Sequence, residues 1–329
     1  MSRKKSRKKK KSNRNQRFLG VLRKQSFLEH QNPKGILIVP TKPKKKKKIN
    51  PFSVVIIILI VVIGYYFLFQ TESSQESGQE PTSQAITSFI SDSPETLTIM
   101  NWNIQTFGKA KWNKTDVRNR ILSIVPMADI TFIQEIRDIS GETFIDLCNQ
   151  LNQTHKCNIS SRAGRTSSKE QYGIVYKKDI EIIDLIDFNP NPLDNWERPP
   201  IEVTFSKDGY EFRAVNIHIK PDDVANELKQ LEGIYYLSSW NGNRIWLGDF
   251  NADGTYYDDE NNVYLLTEVW VIQNTDDTTV AESSNAYDRI ILNHDMNKEV
   301  IRYGIYTNIT KDVSDHYPVW VEVKAEETI

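Results

Sequence analysis

Residues 249–260, DFNADGTYYDDE, set Asp249, Asn251, Asp253, Gly254 and Glu260 at the spacing D-x-[DN]-x-[DN]-G-x5-E of a calcium-coordinating loop. Oxygen donors at alternate positions around a sharp glycine turn suit a hard cation. The same Asp249 and Asn251 would also serve at the lip of a catalytic cleft. Other residues suit chemistry near neutral pH, where histidine changes its charge. Of five histidines, His218 in NIHIKP and His316 in SDHYPV stand at the ends of β-rich runs. His30 falls in a lysine-rich tail, and His155 and His294 lie in polar surroundings that read as surface. Glu135, Glu170, Asp288 and Asp315 flank β-rich runs in FIQE, KEQYGIVY, AYDRIIL and SDHYPV. Singly, each acid reads as a cap or a solvated residue; together with the histidines they read as a site.

The elements around them explain how they could meet. TLTIMNWNI (96–104) and DITFIQE (129–135) read as strands on either side of a helix over TDVRNRILSIVP. Thr115 is the expected helix cap, with Val117, Ile121, Ile124 and Val125 at helical spacing. EFRAVNIHI (211–219) and RIWLGD (244–249) repeat the arrangement around a helix whose apolar face carries Val224, Leu228, Leu231 and Tyr235. Strands joined this way run parallel when adjacent in one sheet, and their carboxyl ends share an edge. The first unit delivers Asn103 and Glu135 to that edge, and the second delivers His218 and Asp249. The short β-rich run RIWLG before Asp249 is no entering helix, so the cleft-lip reading of Asp249 and Asn251 outweighs a calcium helix pair. Pro318 starts the last strand, PVWVEV, and leaves Asp315 and His316 in the loop before it.

Charge and hydropathy divide the chain. Lys and Arg number 42 and Asp and Glu 43, yet 19 of the former and only Glu29 of the latter fall in residues 1–50. A basic tail therefore precedes an acidic body. Residues 1–50 read as a disordered cytoplasmic tail suited to anionic lipid or nucleic acid. Within 51–70, the charge-free run FSVVIIILIVVIGYYFLF at 52–69 is long enough for a single transmembrane helix. The lysines at 44–48 just before it predict an amino terminus in the cytoplasm and a body outside the cell. Residues 71–95 read as a flexible linker, and 96–329 as the folded domain. Cys148 and Cys157 allow either one disulfide or two buried thiols, and their spacing does not suit zinc. Asn113, Asn152, Asn158 and Asn308 lie in glycosylation sequons.

From about residue 96 to 325 the motifs MNWNIQTFG, FIQEIRD, GRTSSKEQYGIVY, ERPPIEVTF, AVNIHIKP, WLGDFNAD, NAYDRIIL and SDHYPV follow in order. Together they resemble the endonuclease/exonuclease/phosphatase superfamily, and within it pancreatic-type deoxyribonuclease. The resemblance implies an α/β four-layer sandwich, two mixed β-sheets flanked by helices, and metal-dependent hydrolysis of phosphodiester bonds. It implies His218 and His316 as an acid–base pair, oriented by Glu170 and Asp288 respectively. Glu135, Asn103 and Asp315 would hold Mg2+ or Mn2+; Asp249 and Asn251 would bind the scissile phosphate or position water. Arg198, Arg137 and Arg165 would contact phosphate and groove. Asp277 and Ser283 resemble a structural Ca2+ site, and Asp194 would serve a second. Three positions depart from the family: Ser168 replaces a groove-stacking tyrosine, Asn285 replaces a cysteine of the accessory disulfide, and Ser283 stands where threonine is usual.

The expectation is thus a membrane-anchored, outward-facing endonuclease whose partner is DNA, with no protein partner predicted. Two other readings stay open. One keeps the chemistry but takes a lipid or small phosphoester; the other is a calcium-binding surface module without turnover.

Overall fold

The computed structural model describes residues 95–325, and a period-two alternation of side chains sets its layers. In strand β1 (Thr96–Phe107), Leu97 and Ile99 enter a core shared with Val203, Phe205, Phe212, Ala214, Ile245 and Leu247 of the opposing sheet. Met100, Trp102 and Ile104 instead pack beneath helices α1 (Lys109–Trp112), α2 (Thr115–Ile124) and α3 (Glu142–Leu151). The second sheet repeats this: Val215 and Trp246 turn outward beneath α4 (Val224–Leu237). Three apolar interfaces separate four layers: helices, sheet, sheet, helix.

The first sheet also holds β2 (Ile130–Ile136), β3 (His155–Ile159), β4 (Gln171–Lys177), β11 (Val300–Ile305) and β12 (Val319–Lys324), in the order β11-β12-β1-β2-β4-β3. The second holds β5 (Glu181–Asp187), β6 (Ile201–Lys207), β7 (Tyr210–Asn216), β8 (Asn243–Asp249), β9 (Val269–Trp270) and β10 (Asp288–Leu292), in the order β5-β6-β7-β8-β10-β9. The short helix α5 (His294–Lys298) joins β10 to β11. Both sheets are mixed. Each has one parallel pair, β1 with β2 and β7 with β8, as the two strand–helix–strand units predict.

Several local expectations are corrected. Lys114, not Thr115, has the extended backbone of the cap position, and no side chain caps α2; the turn leaving α1 runs straight into the helix, so Thr115 is already helical. Val125 sits in a 3-10 turn containing Pro126. His155 is buried rather than on the surface, because it opens β3, pairs with Lys177 and bonds through Nδ1 to the Thr154 hydroxyl. Cys148 and Cys157 form a disulfide joining α3 to β3. No helix among the described residues is long and apolar enough to cross a membrane. The basic tail, the apolar run 52–69 and the linker up to residue 94 lie outside the described residues.

Toward the carboxyl ends of the parallel strands the inward positions turn polar. Asn101 and Asn103 continue the line of Leu97 and Ile99; Gln134 follows Phe132, Asn216 follows Ala214, and Asp249 follows Leu247. These five side chains are buried. Buried polar groups must find partners in each other. They do so across the two sheets.

Candidate active site

Asp249, the last residue of β8, lies at the centre. Its Oδ2 accepts from Asn103 Nδ2 at 3.0 Å. It lies 3.4 Å from His218 Nε2 and 3.6 Å from His316 Nε2, so both imidazoles aim at one oxygen. Behind each ring stands a buried carboxylate: His218 Nδ1–H donates to Glu170 Oε1 at 2.7 Å, and His316 Nδ1–H to Asp288 Oδ2 at 2.7 Å. An acid on Nδ1 fixes the tautomer and leaves Nε2 facing the cleft.

The surroundings set the charges. Burial and Arg198 push His218 down, but Glu170 and Asp249 outweigh them and its pKa lies above the ordinary value. Burial likewise opposes the charge of His316, and Asp288 and Asp249 overcome it. Burial would raise Asp249, yet His316, His218 and the bond from Asn103 hold it low. Glu170 is held low against burial by His218, Arg198 and Arg137.

Glu135 stands at a break in the ladder: the β2–β4 register shifts between Ile133 and Ile136, and Glu135 has φ 58°. The β1–β2 register shifts between Asn103 and Phe107, where Gln105 and Thr106 have φ 37° and 54°. Irregular strands re-aim side chains beside active sites. Left-handed backbone at a non-glycine residue costs about 1–3 kcal/mol and persists only where its surroundings enforce it. Here Glu135 Oε2 accepts from Thr106 N at 2.7 Å, Oε1 from Asn103 Nδ2 at 3.4 Å, and Asn103 Oδ1 from Gln105 N at 2.9 Å.

Asp315 and His316 reach the site on a loop pinned from several sides. Ser314 Oγ donates to Asn103 O at 2.6 Å, Trp102 Nε1 to His316 O at 3.0 Å, and Val280 N to Asp315 O at 2.7 Å. Lys111 Nζ donates to Ile104 O at 2.8 Å and Val313 O at 2.7 Å, tying the loop to β1. Gln105 Nε2 donates to Asp315 Oδ2 at 2.6 Å, while Asp315 Oδ1 is buried without a hydrogen-bond partner. This oxygen lies 3.8 Å from His316 Nε2, and with the oxygens of Glu135 and Asn103 it would make an all-oxygen set that suits Mg2+ or Mn2+ better than zinc. Among the described residues, one group of three His, Cys, Asp or Glu gathers its ligand atoms within 4.8 Å: Glu135, Glu170 and His218. Arg137 pairs with both Glu135, at 3.1 Å, and Glu170, at 3.7 Å, so a guanidinium already neutralises the acids of that group.

Arg198 donates to His218 O at 3.0 Å and Ile219 O at 3.1 Å and lies 3.5 Å from Glu170. Asn251, at φ 49°, donates through Nδ2 to Ile219 O at 3.0 Å. Arg165 and Asp194 are brought to each other instead of to the centre, paired at 2.6 Å, with Glu197 3.6 Å away. Asp277 and Ser283 share one turn: Asp277 Oδ1 accepts from Thr279 N and Asn285 N, and Ser283 O accepts from Thr279 Oγ1. The loop 249–260 leaves a strand rather than joining two helices, and Asp253 accepts from Gly254 N and Ala286 N.

Sequence reasoning missed Tyr172, whose hydroxyl accepts from His218 N at 3.0 Å and donates to Arg198 O at 3.3 Å. It also missed Lys111, Gln105, Asn101, Gln134 and Asn216. The last three carried a readable signal: an amide at an inward position of a strand otherwise lined with apolar residues.

Residues 100–316 match the sequence profile described as the Endonuclease/Exonuclease/phosphatase family. Deoxyribonuclease-1 of Gallus gallus is 33% identical over 262 residues, covering 70% of this chain and 93% of that protein. Deoxyribonuclease gamma of Mus musculus is 31% identical over 257 residues, covering 68% of this chain and 83% of that protein. A crystal structure of an endonuclease/exonuclease/phosphatase from Bacteroides vulgatus shares the fold, with TM-score 0.55, 17% identity and coverage of 70% of this chain and 100% of that one.

Proposed function

The chain belongs to the Endonuclease/Exonuclease/phosphatase family as a phosphodiester hydrolase, and from this premise we propose that it is a metal-dependent endonuclease acting on DNA. The observation that carries the reading is the pair of imidazoles, each backed by a carboxylate at 2.7 Å and both turned to Asp249. Hydrolysis of a phosphodiester requires one proton taken from water and one given to the leaving oxygen. Two histidines can share this work, one taking the first proton and the other giving the second; the acids around them hold both rings toward the charged form, so the ring that acts as base must first release its proton. Glu170 and Asp288 hold the Nδ1 protons in place, and the Asp249 carboxylate, 3.4 and 3.6 Å from the two Nε2 atoms, attracts whichever ring is charged. Arg137 and Arg198 supply fixed positive charge beside Glu170, where an anionic substrate would otherwise meet only acids. Glu135, Asn103 and Asp315 would hold Mg2+ or Mn2+, which neutralises phosphate charge when bound.

The substrate follows from the deoxyribonuclease relatives, and the location from the sequence. The apolar run at 52–69 with lysines before it supports a single-pass anchor, amino terminus inside and catalytic domain outside. The Cys148–Cys157 disulfide is in keeping with an oxidising exterior. The purified full-length chain in mild detergent should nick supercoiled plasmid with magnesium and calcium and stop with EDTA. His218→Ala and His316→Ala should each lower the rate on the order of 10²–10⁴-fold. Full activity in both variants sinks the assignment; release of phosphocholine from sphingomyelin without nicking moves it to a lipid phosphodiesterase.

A further inference from the structure

Gln134 precedes Glu135 on β2 and reaches across the inter-sheet space. Its Nε2 donates to Ile217 O at 2.7 Å, and its Oε1 accepts from Asp249 N at 2.9 Å and from Asn101 Nδ2 at 3.3 Å. Ile217 is joined by a peptide bond to His218. One uncharged amide from the first sheet therefore holds the two backbone segments of the second sheet that carry Asp249 and His218. Its own covalent neighbour is Glu135. Asn216 adds a parallel tie, donating to Asn101 Oδ1 at 2.8 Å and to Leu247 O at 2.9 Å. Asn101, Gln134 and Asn216 are fully buried, so water does not compete for these bonds.

The backbone is shaped to admit this side chain. Gly248 has φ 154°, and a Cβ there would sit 1.9 Å from Ile217 O and 2.9 Å from Gln134 Nε2. The β2–β4 register break between Ile133 and Ile136 brackets Gln134 and Glu135, so the ladder yields where the amide must cross. Only a planar group that carries a donor beside an acceptor satisfies these partners. An ionised carboxylate would face Ile217 O with an acceptor, and a thioether would leave Asp249 N–H without an acceptor and Ile217 O without a donor.

We propose that Gln134 is a positioning residue: an amide strut that sets the distance between Glu135 on one sheet and the His218–Asp249 pair on the other. It touches neither substrate nor reacting atoms. This rests on the nuclease reading above for its kinetic consequence, though not for its geometry. A displacement of about 1 Å between catalytic groups can cost on the order of 10²-fold in rate.

The test uses the full-length chain with Gln134→Met, with Gln134→Leu as a second variant should the first fail to fold. Val203→Ala, in the inter-sheet core of β6, serves as a stability control. All are assayed at an equal margin below their own Tm. The expected result is a kcat lowered about 10²-fold with KM for plasmid within about threefold of wild type. The imidazole nitrogen resonances of His218 should also move in the metal-free variant. A kcat within about threefold of wild type, or a loss that Val203→Ala matches, overturns the proposal while wild-type nicking keeps the nuclease reading. A wild type that does not nick, with His218 resonances displaced in the variant, sinks the reading and keeps the strut. Unmoved resonances in that case sink both.

Discussion

Two kinds of acid surround the cleft, and their neighbours separate them. Asp249 and Asp288 sit against imidazoles, whereas Asp138, next to Arg137, binds backbone N–H groups and hydroxyls of the turn into α3. Burial would raise Asp138, but bonds from Thr143 N, Thr143 Oγ1, Ser140 Oγ and Ser140 N hold it down at about 2. A lowered carboxylate stabilises the fold above its ordinary value of 3.8, and that contribution fades as pH falls through about 2. Asp138→Asn should therefore cost about 1 kcal/mol at pH 7, in the range of a lost helix cap, and progressively less on acidification below pH 4. Urea denaturation of both proteins at pH 7 and pH 3 measures the difference; an equal cost at both would show that the charge of Asp138 contributes nothing.

Elements matter here through their irregularities. Regular ladders put Leu97, Ile99 and Phe132 into the core, and the breaks after Asn103 and Ile133 turn the same strands toward the candidate site. The first sheet's outer edge is tied separately, by the disulfide from α3 to β3 across nine positions. Closing a loop of that length removes unfolded-state entropy equivalent to about 2–3 kcal/mol. The Cys148→Ser, Cys157→Ser double variant should lose about that much stability and keep its kcat, because the bridge lies against the outer apolar layer. Thermal unfolding with and without reductant, beside a nicking assay at 25 °C, checks both halves; a fall in kcat at full folding would tie β3 to the site.

At the scale of the molecule, the proposed cation ligands come from the first strand, the second strand and the last loop, which only the folded chain brings near one another. A cation held by Glu135, Asn103 and Asp315 therefore binds the native state and not the unfolded one. At a hundredfold excess over its Kd this linkage is worth about 2.7 kcal/mol of stability. Magnesium should raise the Tm of the full-length chain, and Glu135→Gln should remove the increase together with activity. An equal rise in the variant would place the cation elsewhere, the turn of Asp277 and Ser283 or the acidic loop 253–260 being the alternatives to map.

Much of this was readable without coordinates. Alternating apolar residues around helical segments determined two parallel strand pairs, and Pro318 marked the start of β12. Polar residues at the carboxyl ends of those strands named Asn103, Glu135, His218 and Asp249. Periodicity tells which face a side chain takes, but not what lies across from it. Only the tertiary structure brought Asn103 to Asp249 over 146 positions, paired Arg165 with Asp194, buried His155 and closed the disulfide. Gln134 shows why: its amide takes its meaning from Asn101 on β1, Asp249 on β8 and Ile217 just past β7, and the last two are set by how the two sheets pack rather than by the residues beside it.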